Sequence, residues 1–224
     1  MEKIRQYTIK EEIPLVFTDV PAECLGNLLP LFRHANLDAS DHFADSYTVR
    51  ILSEAAALDE LPVIEVDDEI MLVPPKEEDD AAYAELCRDK ETNKYWGYDD
   101  LADCENPDDS YFREVAEMEF ARGVAISLSI LYNGEFAGEA TLYHFDLLGG
   151  CQCAIRLLPA MRRLGIATRS LGALIEFAEF IGLCRVGSIV MEDNISSINL
   201  FAKHFSEIEP EREGLRSFSK EFDN

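Results

Sequence analysis

Along residues 124–132 the apolar positions Ile126, Leu128 and Ile130 alternate with Ala125, Ser127 and Ser129. Period two is the signature of a strand with one buried face. Asn133-Gly134, the dipeptide of a two-residue hairpin turn, sends the chain back into a second strand over residues 136–145. Gly149-Gly150 turns it again into a third strand over residues 151–158, which Pro159 ends, so an antiparallel meander is predicted. The spacing then lengthens. Leu171, Leu174, Ile175, Ala178 and Ile181 recur as the buried stripe of a helix over residues 165–181. Residues 186–191 read as a strand, 195–203 as a short helix, and 205–209 with 215–222 as a terminal hairpin.

Upstream of the meander, residues 63–73 (VIEVDDEIMLV) read as one strand closed by Pro74-Pro75. Residues 77–89 form a helix with Tyr83, Leu86 and Cys87 on one face and acids in the first turn, where they suit the helix dipole. A polar loop holding the only tryptophan follows. A second helix comes next, capped by Asp108 or Asp109, striped by Tyr111, Val115 and Met118, and stopped by Gly123. The order from Val63 is β-α-α-β-β-β-α-β-α-β-β, an α/β fold built on a mixed sheet. The first 60 residues suggest a helical N-terminal extension, with helices over 21–35 (broken near Pro30) and 43–58 (Val49, Leu52, Ala55, Ala56). So small a piece is expected to pack on a main domain of residues 61–224.

With 224 residues, 47% of them hydrophobic, the chain can fill a core despite a net charge of −24. No apolar run reaches the ~18 residues that span a bilayer, and the start MEKIRQYTIK lacks a secretory apolar region, so a soluble, cytoplasmic protein is expected. The charge excludes nucleic acid and anionic membrane surfaces as natural partners and attracts protonated amines. It is also unevenly placed. Residues 59–119 carry 22 acids and 5 bases, whereas residues 147–175 carry Arg156, Arg162, Arg163 and Arg169 and no acid. The six cysteines (Cys24, Cys87, Cys104, Cys151, Cys153, Cys184) show no metal-ligand spacing and read as free thiols, so no metal is expected.

Inside the acid-free stretch, at the predicted strand-to-helix junction, stands Arg162-Arg163-Leu164-Gly165-Ile166-Ala167-Thr168. Arg-x-x-Gly-x-Ala before a helix start offers free backbone N–H groups, close backbone approach and flanking positive charge, the makings of a pyrophosphate cradle. On these residues the chain resembles the GNAT acetyltransferase superfamily from about Leu61 to its end, its loop matching the family's Gln/Arg-x-x-Gly-x-Gly/Ala pattern. Asn194-x-x-Ser197, with Lys203 and Phe205 after it, is similar to the family's last-helix segment. The Asn93–Tyr98 loop and Gly138-Glu139-Ala140 resemble the RimJ/RimL-like branch, which acetylates peptide N-terminal and small amines.

The resemblance implies acetyl-CoA as co-substrate. Its pyrophosphate would lie on Arg162–Thr168, its pantetheine amides on the backbone of Ile155, Arg156, Leu157 and Leu158, and further contacts on Asn194 and Ser197. Asn194 reads equally as a helix cap. The tyrosine that protonates the leaving thiolate in many members is absent, because Phe201 stands there. Glu139 on the central strand is then the candidate base, and Tyr143, four residues on along the same face, a candidate acid or pocket wall. Tyr95 and Trp96 are candidates for the acceptor's aromatic wall. The expected function is acetyl transfer to a primary amine by direct attack in a ternary complex. A CoA-binding sensor without chemistry and an acidic protein-docking module are the rival readings. A homodimer is compatible with all three.

Overall fold

The computed structural model describes residues 58, 60–96, 112–146, 149–210 and 212–223, together with the backbone of four strands in the first 57 residues. Those strands are β1 (Ile4–Gln6), β2 (Leu15–Pro21), β3 (Ala35–Ala39) and β4 (Ser46–Ile51). The helix expected over residues 43–58 is thus corrected at its centre, where β4 pairs with β2 and β3 in a three-stranded antiparallel sheet. Tyr47, Val49 and Ile51 alternate there with Ser46, Thr48 and Arg50, and aromatic and β-branched residues fit a pleated surface better than a helix. The N-terminal extension is therefore not helical where it is described. Of the other expected helix, Pro21 closes β2 and Ala35 opens β3, and residues 22–34 lie outside the described residues.

The main sheet begins with a second correction. Residues 63–73 are a hairpin of β5 (Val63–Glu65) and β6 (Ile70–Val73), not one strand. Asp67 makes the turn, its Oδ1 accepting from the N–H groups of Glu69 and Ile70 at 3.0 Å each. After a 3-10 turn, Glu77–Asp79, come α1 (Asp80–Arg88) and a short α2 (Lys90–Asn93), the latter capped by Asp89. Next is α3 (Phe112–Ala121), stopped by Gly123 at φ 68°. It buries Phe112 and Ala116 and leaves Val115 and Met118 exposed, so the predicted stripe is displaced by one residue around the helix.

The meander is present as β7 (Ala125–Tyr132), β8 (Glu135–Tyr143) and β9 (Gly150–Leu157), with Asn133 and Gly134 both at positive φ in the turn. Then follow a 3-10 turn, Pro159–Met161, α4 (Ile166–Phe180), β10 (Arg185–Met191), α5 (Ile195–Phe201), β11 (Ser206–Ile208) and β12 (Leu215–Glu221). The nine-stranded order is β1-β5-β6-β7-β8-β9-β10-β12-β11, and β9–β10 is its parallel pair. Ile126, Leu128, Ile130, Ala140, Leu142 and Cys153 join Leu171, Leu174, Ile175 and Ala178 of α4 in one core. Among the described residues no helix is long and apolar enough to cross a membrane.

Two features shape the centre of this sheet. Between Ile130–Gly138 and Leu131–Phe136 the β7–β8 register shifts, leaving Ala137 as a bulge whose carbonyl accepts from Leu158 N–H at 2.9 Å. Beside it, a Cβ on Gly138 would lie 2.1 Å from the Arg156 carbonyl oxygen, so only glycine lets the strands come so close. On the other side, β9 and β10 are paired only through Gly150–Arg185, Cys151–Val186 and Gln152–Gly187. Beyond these rungs β9 runs on to Leu157 and β10 to Met191 without pairing, and the sheet opens between them.

Candidate functional site

The open end of the β9–β10 pair is where a crossover fold places its ligands, at the carboxyl ends of parallel strands. The loop leaving β9 there turns sharply, with Arg163 at φ 64° and Gly165 at φ 80°. Gly165 is the N-cap of α4 and no side chain caps that helix, whose first main-chain bond runs from Arg169 N–H to Gly165 O. The N–H groups of Ile166, Ala167 and Thr168 therefore lack intrahelical acceptors. No atom lies within 4 Å of where a Cβ on Gly165 would be, so the approach to those donors is clear. Leu164 is 51% exposed, Ile166 is buried in the core, and Ala167 packs against it. Small residues, free N–H groups and a positive helix end together fit a pyrophosphate.

Three of the four arginines in the acid-free stretch are already matched by acids from elsewhere. Arg162 bonds Asp89 and the Thr92 hydroxyl, and its Nε donates to the Leu157 carbonyl at 3.3 Å. Arg169 Nη1 lies 2.9 Å from Asp67 and 2.8 Å from Glu69. Arg156 is paired with Glu139. Arg163 is exposed and has no hydrogen-bond or ion-pair partner among the described residues. Lys203, which the sequence placed in the last-helix segment without a role, reaches the same helix end, its Nζ 3.4 Å from the Thr168 hydroxyl. The stretch is thus less a basic island than a braced loop with Arg163 and Lys203 at its rim.

The expected backbone segment, Ile155 to Leu158, lies along the unpaired edge of β9. Its outer end is partly engaged, because Leu158 N–H donates to Ala137 and the Leu157 carbonyl accepts from Arg162. Asn194 is a helix cap, its Oδ1 accepting from Ser197 N–H at 3.2 Å at the start of α5. Phe201, which stands where the resemblance led one to expect a tyrosine, is 4% exposed and packs on Phe205 and Phe218 as a core residue.

Glu139 and Tyr143 are not brought together. Four strand residues separate them by about 13 Å. Tyr143 stands opposite Gln152, at the level where β9 and β10 are still paired, and burial pushes its phenol pKa up. Glu139 is 5% exposed and its Oε2 accepts from Arg156 Nε at 2.7 Å, so its charge faces a guanidinium.

Arg156, 4% exposed, is the hub of this face. Its Nη1 donates to Asn93 Oδ1 at 2.9 Å and its Nη2 to the Tyr83 hydroxyl at 2.7 Å, with Cys87 Sγ at 3.6 Å. The Trp96 ring centroid lies 4.1 Å from the guanidinium carbon. Tyr83 belongs to the buried face of α1 and Asn93 ends the all-polar α2, and no local sequence signal announced either contact. Tyr95 turns the other way, its hydroxyl bonded to Lys94 Nζ at 2.7 Å and 3.3 Å from Asp193 Oδ2. Cys151 and Cys153 face the core, and burial pushes the Cys151 thiol up to about 12 and that of Cys153 well above its usual value.

Comparison with known proteins follows the same outline. A family model described as an acetyltransferase (GNAT) domain matches residues 69–204. No curated protein matches the chain in sequence. Among solved structures, the microcin C7 self-immunity acetyltransferase MccE, in complex with acetyl-CoA and AMP, superposes with TM-score 0.61 at 22% identity. That match covers 71% of this chain and 96% of MccE. An acetyltransferase that modifies the N-terminal serine of ribosomal protein L7/L12, from Salmonella typhimurium, gives 0.57 at 19% identity over 72% of this chain and 99% of its own. The spermidine N-acetyltransferase from Vibrio cholerae, in complex with CoA and spermine, gives 0.55 at 14% over 69% and 96%. At these identities the likeness speaks for the fold.

Proposed function

The chain belongs to the GNAT acetyltransferase family, and from that premise we propose that it moves an acetyl group from acetyl-CoA to a primary amine by direct attack in a ternary complex. The observation that carries this reading is the conjunction of two features at one end of the sheet. The uncapped, unobstructed start of α4 at Gly165 lies next to the unpaired edge of β9. The transferase unit is residues 61–224, with β1 as an added edge strand.

In this reading Ile166, Ala167 and Thr168 N–H groups and the Arg163 and Lys203 charges hold the pyrophosphate. Main-chain groups of β9 between Cys153 and Leu157 bond the pantetheine amides and polarise the thioester oxygen. Bound there, acetyl-CoA supplies an activated acetyl group. After the ammonium has lost one proton to solvent, the neutral nitrogen forms its bond to the acetyl carbon as the carbon–sulfur bond breaks, and a second proton from that nitrogen ends on the leaving sulfur. A covalent route through Cys151 or Cys153 is disfavoured, because buried thiols with raised pKa values are poor nucleophiles. Glu139, tied to Arg156, is assigned as an anchor rather than a base. The kcat/KM is then expected to rise with pH along with the neutral fraction of the amine.

A primary amine is consistent with spermidine and a peptide N-terminus being acceptors of similar folds. The acid excess of residues 59–119 favours a cationic acceptor. Release of free thiol from acetyl-CoA, measured with a panel including spermidine and a serine-initiated peptide, tests the reading, and turnover with at least one amine is expected. The core position of Phe201 favours the sensor alternative, for which acetyl-CoA raises the melting temperature while no amine releases thiol.

A further inference from the structure

Residues 93–96 touch both of the strands that part. Asn93 and Trp96 rest on Arg156, the next-to-last residue of β9. Lys94 Nζ lies 3.0 Å from Asp193 Oδ2, and Tyr95 bonds the same carboxylate, two residues beyond the end of β10. The segment therefore straps the two strand ends together across the wide end of the gap. Its two attachments differ in kind. The Arg156 end is sealed in the protein, whereas the Asp193 end is exposed, with Lys94 and Asp193 side chains 55% and 60% accessible.

Arg156 is more elaborately bonded than charge neutralisation requires. Glu139 alone would balance it, yet the guanidinium spreads its donors over Glu139, Tyr83 and Asn93 and carries the Trp96 ring on its face. That is a planar, multidentate arrangement a lysine cannot copy. We propose that Arg156 is a positioning residue for the acyl acceptor. Held by Glu139, it fixes the strap of residues 93–96, with Trp96 on the β9 side and Tyr95 on the Asp193 side of the opening where the amine is oriented. The inference rests on the acetyl-transfer reading above. It assigns Arg156 to the acceptor side, not to the cofactor contact expected from the sequence.

Trp96 is the chain's only tryptophan, so its emission reports the strap alone. In Arg156→Lys, acrylamide quenching of Trp96 is expected to rise about twofold, because the ammonium cannot hold Asn93 and the ring together. The KM for spermidine or the serine-initiated peptide is expected to rise about tenfold, while the acetyl-CoA Kd stays within about twofold. Asp193→Asn, at the exposed latch, shifts quenching and amine KM in the same direction by less, and it carries both readouts if Arg156→Lys does not fold. Unchanged quenching and amine KM in both variants overturns the proposal. So does an acetyl-CoA Kd weakened about tenfold in Arg156→Lys with quenching unaltered, which would make Arg156 a cofactor ligand. If the wild-type protein turns over neither amine, the transfer reading fails, and the quenching comparison still decides whether Arg156 holds the strap.

Discussion

At the scale of single residues, the carboxylate best placed by sequence for catalysis is sealed in an ion pair with Arg156, which is why we propose it as an anchor. Glu139 sits on the central strand, but its partner Arg156 is equally buried, and an ion pair sealed from water is costly to break from one side. Removing Glu139 takes away the carboxylate 2.7 Å from a buried guanidinium that Tyr83 and Asn93 still bond. Glu139→Ala is therefore expected to lower unfolding free energy by about 3–5 kcal/mol, and Glu139→Gln, which keeps an acceptor, by less. Urea unfolding of the two variants checks this, and an unshifted midpoint for Glu139→Ala would remove the anchor role. The hydroxyl expected of Tyr143 likewise belongs to the paired part of the sheet, at a distance from the opening.

At the scale of elements, the loop proposed to hold the cofactor is braced from outside. Asp89, which caps α2, braces Arg162, while Asp67 and Glu69 in the β5–β6 turn brace Arg169 in the first turn of α4. The Thr92 hydroxyl, and after it Arg162, outweigh burial and hold the Asp89 carboxyl below its ordinary 3.8. A carboxylate depressed in the folded state stabilises above the unfolded value and loses that contribution as pH falls through the folded one. The wild-type melting temperature is thus expected to exceed that of Asp89→Asn at pH 6, and the gap to close in acid, once pH has fallen below the ordinary 3.8 and through the lowered folded-state value. A gap that persists in acid would mean the Asp89–Arg162 pair does not brace the loop.

These braces explain what the sequence could and could not reveal. β7, β8, β9 and α4 were legible because their own periodicity encodes them, as was the turn at Asn133-Gly134. β4 was missed because Val49 and Leu52 suit a helical spacing as well, and only its pairing with β2 and β3 decides the matter. The β5–β6 turn was hidden within an apolar run, although Asp67-Asp68 carried the signal. The turn into α4 within residues 162–168 was visible from its glycine, which adopts φ 80°. Arg162's partner Asp89 lies 73 residues away, and no local pattern announces such a contact.

At the scale of the molecule, a net charge of −24 is compatible with the proposed anion site because charge is balanced locally. Acids from the strongly negative region neutralise Arg162 and Arg169, so the cradle depends on helix-end N–H groups, Arg163 and Lys203 more than on a basic field. The direct measurement of this account is calorimetric titration of acetyl-CoA into the wild-type protein and Gly165→Asn. Asparagine tolerates the left-handed φ of 80°, yet its side chain occupies the space before the α4 N–H groups. The account predicts saturable 1:1 binding by the wild type, and affinity weakened about tenfold or more in a variant whose melting temperature without cofactor is little changed. No binding by the wild type, or equal affinity in both proteins, would contradict it.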